Sequence, residues 1–242
     1  MDKNNAVPKC VMSVHAHPDD QEFTVAGTLA YWAGCGTRVV SVIVTSGEAG
    51  SNDPSRDGGY KSTLAGIREK EQLAACAILG IKDTIFLHYP DGELEPTMQL
   101  RREITRVMRT FKPDTLVIGD PQGVFYGSGY INHPDHRAAA QAALYAGFPS
   151  SETRLIFTDL LDEGLEPHKI SQVFIHGAEV SDTWIDIAAS IDLKISALRC
   201  HASQLGDWDP EKMIREWAAE EGKKQGLQYA EVFKVMHLDE QG

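Results

Sequence analysis

The sequence predicts an α/β fold, in which a mostly parallel, Rossmann-like sheet carries helices on both faces. Short runs of β-branched and other apolar residues alternate with longer segments of helical periodicity. Clusters of His, Asp and Glu directly follow several of these runs. Because ligands bind beyond the carboxyl ends of the strands in parallel folds, we expect the functional site there. No repeat or linker is visible, so residues 1–242 are predicted to form one domain.

The strands are predicted from short apolar runs, since β-branched residues suit a buried pleated surface. They cover residues 10–16, 38–45, 84–87, 114–119, 172–176, 184–187 and 229–237. The helices are predicted from helical periodicity and from Gly or Pro near their ends. They cover residues 22–33, 63–79, 97–111, 134–146, 188–201 and 210–226. Two long polar loops remain, 46–62 and 119–132.

Composition and charge argue against several classes of protein. The net charge of −12 is the opposite of what a general nucleic-acid binder needs. No apolar run approaches the ~20 residues of a membrane span, and residues 1–10 lack the pattern of a secretory signal. The cysteines are widely spaced and form no CxxC, which favours free thiols in a reducing cytoplasm; they are Cys10, Cys35, Cys76 and Cys200. The absence of GxGxxG and Walker A sequences gives nucleotide binding little support.

Two motifs are dense in histidine and aspartate. HPDD, at 17–20, follows the first predicted strand, and HPDH, at 133–136, begins a predicted helix. Either motif alone could have a purely structural role, since Asp is a favoured helix N-cap and Pro134 suits a first helical position. Two such motifs, each after a strand, favour a metal site over two unrelated helix caps.

The residue types fit a catalytic metal ion that keeps one position open for water. His17 and Asp20 could bind one ion from the turn after the first strand, and His136 or His133 could supply the third ligand. Asp19 would then be free to accept a proton from the bound water. The spacing does not distinguish zinc from iron or manganese.

With these two motifs the chain resembles the LmbE-like, or PIG-L, deacetylases. This family includes de-N-acetylases of GPI-anchor, mycothiol and bacillithiol synthesis, thiol-conjugate amidases and chitooligosaccharide deacetylases. HPDD paired with HPDH is specific, and weaker matches cover most of the remaining chain. They are Gly27-Thr28-Leu29-Ala30, Arg68-x-x-Glu71 with Ala75 and Leu79-Gly80, Pro90-Asp91, and Lys194, Ala197-Leu198, His201 and Ser203-Gln204.

The resemblance implies a metal site and an order of catalytic roles. It implies Zn²⁺, or another divalent transition metal such as Fe²⁺, held by His17, Asp20 and His136. Asp19 would be the general base, and His133 would stabilise the oxyanion or protonate the leaving amine. Asp135 would orient a neighbouring histidine and stabilise its charge.

The resemblance also implies contacts with the substrate. Arg68 would bind substrate hydroxyls or a phosphate, and Asp91 belongs to the third family segment. Tyr130 lies in the glycine-rich loop and is assigned to substrate binding, although it or Tyr126 could instead reach the oxyanion. Many members have Glu directly after HPDD, whereas this chain has Gln and then Glu22, to which we assign no catalytic role.

The leading functional hypothesis is a hydrolase that removes an acetyl group from an N-acetylated amino sugar or its conjugate. One alternative is an amidase acting on a larger acyl group, such as a thiol-conjugate amide. Another is a metal-free protein that binds a sugar or a nucleotide. The expected partner is a small-molecule substrate rather than nucleic acid or membrane, and a homo-oligomer is compatible with the sequence. The substrate itself is not predicted, because the long loops select it.

Overall fold

The computed structural model describes residues 7–238, which contain a seven-stranded sheet and a separate two-stranded hairpin. The N-terminal segment in which no secretory signal was expected lies mostly outside these described residues. In chain order the strands are β1 (Cys10–His15), β2 (Arg38–Thr45), β3 (Asp83–Tyr89), β4 (Thr115–Gly119), β5 (Phe125–Tyr126), β6 (Tyr130–Ile131), β7 (Gln172–His176), β8 (Thr183–Asp186) and β9 (Ala230–His237).

The large sheet has the strand order β3-β2-β1-β4-β7-β9-β8. The first five of these strands pair in parallel, whereas β9 pairs antiparallel with both β7 and β8. The predicted mostly parallel α/β sheet is therefore confirmed. The chain runs outward from β1 to β3 and then returns to place β4 on the other side of β1. This reversal opens a crevice at the carboxyl ends of β1 and β4, where ligands bind in such folds.

Helices cover both faces of this sheet. They are α1 (Asp20–Thr24), α2 (Ala26–Gly34), α3 (Lys61–Ile78), α4 (Met98–Phe111), α5 (Pro134–Tyr145), α6 (Asp159–Asp162), α7 (Ile191–Leu198), α8 (Ala202–Leu205) and α9 (Glu211–Lys223). Within residues 7–238 no helix combines the length and apolar character needed to span a bilayer.

Alternation along the central strands supplies two hydrophobic cores. Val11 on β1 packs into one core, together with residues of α2, α7 and α9, whereas its neighbour Met12 packs into the other, together with residues of α4 and α5. Strands buried on both faces read as continuous apolar runs, which is why β1 and β2 were located closely from sequence.

Two predictions of secondary structure were wrong in detail. The helix expected over residues 22–33 is two helices, because Val25 leaves the helical conformation between α1 and α2. The loop expected over residues 119–132 contains the hairpin of β5 and β6. Each hairpin strand has only two residues, too few to show an alternating pattern.

A buried ion pair joins the C-terminal strand to the start of α2. The carboxylate of Glu231 accepts from the backbone N–H groups of Gly27 (2.9 Å) and Thr28 (2.7 Å), which are unpaired donors of the first helical turn. The Lys194 ammonium lies 2.5 Å from the same carboxylate and also donates to the carbonyl of Thr24. The Gly27-Thr28 and Lys194 segments of the family pattern therefore meet in one structural contact.

Lys194→Met should destabilise the protein strongly. The substitution leaves Glu231 charged and buried without its cation, and breaking a buried pair from one side costs roughly 3–5 kcal/mol. Lys212→Met is the matched control, because Lys212 is 87% exposed in its pair with Glu216 and exposed pairs are worth about 0–1 kcal/mol. Urea denaturation gives the free energy of unfolding of both variants. Equal losses of stability in Lys194→Met and Lys212→Met would show that the buried pair stabilises the protein no more than the exposed one.

Candidate metal centre

The two histidine–aspartate motifs meet at the crevice between β1 and β4. HPDD forms the turn between β1 and α1, and HPDH begins α5, with Pro134 in its first turn as predicted. The ring of His17 lies 4.9 Å from that of His133 and 5.1 Å from that of His136, measured between centroids. The predicted convergence of polar segments at the carboxyl ends of the strands is therefore present.

One group in this crevice has the composition of a metal site. His17, Asp20 and His136 each offer a ligand atom, and the three atoms lie within 4.8 Å of one another. The carboxylate of Asp20 lies between the two rings, with Oδ2 3.4 Å from Nδ1 of His17 and Oδ1 3.1 Å from Nε2 of His136. A nitrogen lone pair facing an anionic oxygen at this distance needs a proton or a cation between them. These residues therefore fit a divalent ion held by nitrogen and oxygen donors.

The orientation of His17 is set by two carboxylates on its other side. Nε2 lies 3.1 Å from Oδ1 of Asp91 and 3.3 Å from Oδ2 of Asp135, so Nδ1 is the atom that faces Asp20. Asp135 is fully buried and also accepts from the backbone N–H of Gly92 at 2.8 Å. Burial by itself lowers the pKa of His17, but the carboxylates of Asp20, Asp135 and Asp91 raise that pKa to about 12.

A second group, His17 with His133 and Asp135, also brings three ligand types together. It overlaps the first group, and its carboxylate is already committed to the His17 ring and to backbone N–H groups. In the first group Asp135 contacts His17 on the ring side away from Asp20, which matches the usual arrangement around a metal-bound imidazole.

Asp19 lies next to this group without capping α1. Its φ of 90° is in the left-handed region, and its side chain makes no hydrogen bond to the first turn of α1. The alternative that Asp19 serves only as a side-chain helix cap is therefore wrong. Arg68 donates to Oδ2 of Asp19 at 3.1 Å, and the backbone N–H of Asp19 donates to Gln72 at 3.0 Å. Burial and the neighbouring charge of Asp20 raise the pKa of Asp19 to about 7, although Arg68 opposes the shift.

Behind Asp19 is a buried polar network that sequence reasoning missed. Gln72 accepts from Asp19 and donates to Glu22, whose other oxygen lies 3.3 Å from the His201 ring. Gln21 donates to the same Glu22 oxygen at 2.6 Å. The side chains of Glu22 and His201 are fully buried. Glu22 is therefore connected through Gln72 to the turn that carries Asp19. The sequence offered one clue to this contact: Gln72 lies four positions after Arg68 on the same predicted helix, so the two side chains share one helix face.

His133 is the more exposed histidine of the second motif, with 43% of its side chain accessible. Its Nδ1 accepts from the backbone N–H of Asp135 at 3.2 Å, so His133 also caps α5. Because that nitrogen is an acceptor, the ring proton of the neutral imidazole is on Nε2. His136 has a different neighbour that the sequence analysis did not single out: its Nδ1 lies 3.0 Å from Oδ1 of the buried Asn132.

The predicted substrate contacts occupy different environments. Arg68 is only 4% exposed, and its terminal nitrogens donate to Asp19 and to the carbonyls of Gly47 and Pro18. Asp91 is also buried, against His17. Substrate binding by Arg68 and Asp91 stays a prediction, and both residues already hold catalytic candidates in place.

Tyr130 belongs to an exposed hairpin face. It pairs with Tyr126 across the hairpin, with ring centroids 6.0 Å apart, and it is 53% exposed. The pair on the opposite face, Phe125 and Ile131, is more than 70% exposed. Burial raises the pKa of the Tyr130 phenol, and the charge of Asp20 adds to that rise while the charge of His17 opposes it.

Comparisons with known proteins agree with this geometry. A family model described as GlcNAc-PI de-N-acetylase, PIG-L, matches residues 12–146, which include both motifs. A diacetylchitobiose deacetylase from Thermococcus kodakarensis is 32% identical over 232 residues, which cover 92% of this chain and 81% of that protein. A probable N-acetyl-alpha-D-glucosaminyl L-malate deacetylase 2 from Bacillus anthracis is 32% identical over 200 residues, 80% of each chain.

A solved structure shows the same fold. The N,N'-diacetylchitobiose deacetylase from Pyrococcus horikoshii superposes with a TM-score of 0.85 at 31% sequence identity. The match covers 95% of this chain and 84% of that one.

Gly47→Ala should disturb the turn beneath Asp19. Gly47 has a φ of +65°, and a Cβ there would overlap the Arg68 guanidinium. The left-handed conformation alone costs about 1–2 kcal/mol for a residue with a Cβ, and displacement of Arg68 adds to that loss. Gly58→Ala is the matched control, since a Cβ at Gly58 meets nothing within 4 Å. Urea denaturation should show a clear loss of stability for Gly47→Ala only; equal stabilities would contradict both the backbone strain at position 47 and the clash with Arg68.

Proposed function

The chain belongs to the GlcNAc-PI de-N-acetylase (PIG-L) family, and we propose that it is a metal-dependent hydrolase that removes the acetyl group from an N-acetylglucosamine-type amino sugar or its conjugate. The observation that carries this proposal is the convergence of His17, Asp20 and His136 on one point, with Asp19 and His133 beside it. The similar proteins support the substrate class, because several of them are named as deacetylases of N-acetylglucosamine derivatives.

We assign Zn²⁺ as the metal and His17, Asp20 and His136 as its ligands. Two imidazoles and one carboxylate are typical of catalytic zinc sites that keep a position open for water. A bound Zn²⁺ supplies a polarised carbonyl and lowers the pKa of a water molecule from ~15.7 toward ~7. Asp135 and Asp91 hold the Nε2 side of His17, so that Nδ1 is the atom available for coordination.

Asp19 serves as the general base. Asp19 lies in the same turn as His17 and next to Asp20, and it is not one of the three residues whose ligand atoms converge. Arg68 donates to one of its oxygens and Gln72 holds its backbone N–H, which fixes the carboxylate without protonating it. Burial makes Asp19 a stronger proton acceptor than an exposed aspartate, as the raised pKa of about 7 indicates.

We assign His133 to stabilise the negative charge that develops on the carbonyl oxygen of the substrate. Its Nδ1 is occupied by the backbone N–H of Asp135, so its Nε2–H is the group that can donate. This imidazole stands against the His17 ring and is open to solvent, where a substrate carbonyl could approach it. A donor aimed at charge that appears only in the transition state lowers the barrier without tightening substrate binding.

Three further residues are assigned to substrate binding. Arg68, Asp91 and Tyr130 would line the sugar site, and Tyr130 is the one of the three that is open to solvent.

We treat the chain as one catalytic domain, since the seven-stranded sheet contains strands from residue 10 to residue 237. A cytoplasmic location is supported by the four cysteines, all of which are unpaired.

Metal analysis combined with an amine-release assay tests the proposal. Purified protein should hold one divalent ion per chain and release free amine from N-acetylglucosamine derivatives, with loss of activity on chelation and recovery with Zn²⁺. Asp19→Asn should keep the metal and lose roughly 10²–10⁴-fold in kcat, because an amide cannot accept the proton. Asn also tolerates the left-handed conformation of residue 19.

Other outcomes would redirect the assignment. Metal-containing protein that acts only on longer acyl amides would identify an amidase of a different substrate class. Protein without metal or turnover would contradict the hydrolase proposal. If Asp19→Asn loses its metal, Asp19 is a ligand rather than the base.

The two histidines of HPDH should respond differently to alanine substitution. His136→Ala should lose metal affinity, because Nε2 of His136 faces Asp20 across the site. His133→Ala should keep the metal and the KM while kcat falls by about 10²–10³, the usual effect of losing one oxyanion donor. Metal content and kinetics of both variants, measured side by side, decide the matter; an empty site in His133→Ala would reverse the assignment.

A further inference from the structure

Asn132 stands directly before HPDH and is 95% buried, beside a candidate ligand that it contacts through its side chain. Its amide faces two partners. Nδ2 lies 2.8 Å from the carbonyl oxygen of Gly123, and Oδ1 lies 3.0 Å from Nδ1 of His136. Gly123 was assigned no role in the sequence analysis, and Asn132 itself lies in the loop expected to select the substrate.

The Gly123 carbonyl determines which way the amide points. A carbonyl oxygen can only accept a hydrogen bond, so the amide group facing it must be the NH₂ of Asn132. Oδ1 of Asn132 is therefore the atom that faces His136. Because Oδ1 can also only accept, Nδ1 of His136 must carry a proton.

The protonated Nδ1 in turn fixes the other side of the ring. With the proton on Nδ1, the lone pair of a neutral His136 is on Nε2, the atom 3.1 Å from Asp20. From these contacts we infer that Asn132 is a positioning residue, whose carbonyl oxygen holds His136 in the tautomer and rotamer that present Nε2 to the metal. This inference rests on the proposed role of His136 as a ligand.

The backbone around Asn132 holds the amide still. The backbone N–H of Asn132 donates to the carbonyl of Val124 at 2.8 Å, in addition to the side-chain bond to Gly123. Asn132 is therefore anchored at two points to the segment that leads into the hairpin. Because Asn132 is already fixed, it can orient His136 with little further loss of conformational entropy when a metal binds.

Two substitutions separate the two bonds of the amide. Asn132→Asp keeps an acceptor for His136 but removes the donor to Gly123, whereas Asn132→Leu removes both. Asn52→Leu is the control, since Asn52 is exposed in the long polar loop. Metal-stripped proteins would be titrated with Zn²⁺ in competition with a chromophoric chelator, and urea unfolding of the same metal-free samples would report the fold.

The expected result is a loss of about 10–100-fold in Zn²⁺ affinity for Asn132→Leu, the usual effect of removing a partner of a metal-bound histidine. Asn132→Asp should bind at least as tightly as the original protein, and Asn52→Leu should bind equally well. If Asn132→Asp loses as much affinity as Asn132→Leu, the bond to Gly123 is the important one and the inference is wrong. If Asn132→Leu binds normally while His136→Ala does not, the metal site stands and the role of Asn132 falls.

Nuclear magnetic resonance of the unsubstituted protein gives an answer that does not depend on a variant folding. In protein loaded with cadmium and labelled on histidine nitrogen, His136 should show coupling between the metal and Nε2, with a proton retained on Nδ1. Coupling through Nδ1 of His136 would overturn the inference. Absence of any coupling to His136 would instead show that this histidine is not a ligand, which is a failure of the proposed metal site.

Discussion

Several carboxylates share one largely buried crevice, and their mutual repulsion is the constraint on which the site depends. Asp20, Asp91 and Asp135 all lie within 3.4 Å of the His17 ring. Like charges at such distances and in such burial cannot coexist without cations. In the protein alone a proton on His17 meets that need, and the three carboxylates raise the pKa of His17 to about 12 against the effect of burial. A divalent ion bound between His17 and Asp20 would satisfy the same requirement with more charge.

The same repulsion between carboxylates explains why Asp19 is held in place by several hydrogen bonds. A carboxylate can serve as a base beside a metal only if its position is held by groups that do not neutralise it. Arg68 and Gln72, both on α3, hold Asp19 by its side chain and its backbone, and Glu22 and His201 form the buried layer below. These residues come from three distant segments of the chain. The Arg68 and His201 segments of the family pattern therefore both belong to the network around HPDD.

Sequence patterns predicted the part of this molecule that depends on local periodicity and on strand order. β2 was placed at its observed bounds because Arg38–Thr45 is a continuous β-branched run buried on both faces. The meeting of the two motifs followed from parallel topology alone. Contacts between remote polar side chains have no such periodicity. The bond between Gln72 and Glu22 spans fifty positions and depends on how α3 packs on α1, which no local pattern records. Val25 likewise leaves the helical conformation between α1 and α2, with φ −120° and ψ 2°, and no proline marks that break in the sequence.

The two histidine–aspartate motifs and the exposed hairpin are different parts of the structure, and Asn132 connects them. HPDD follows the end of β1 and HPDH begins α5, so both motifs are attached to regular elements of the fold. The hairpin just before HPDH presents Tyr126 and Tyr130 on one face and Phe125 and Ile131 on the other. Phe125, Tyr130 and Ile131 are exposed and can change with little effect on the sheet, as is usual for loop residues. Asn132 is different, because its two hydrogen bonds attach the start of the hairpin to His136. A change in the hairpin that moved Gly123 would therefore displace the Asn132 amide and alter its contact with His136, in which the exposed side chains of the hairpin take no part.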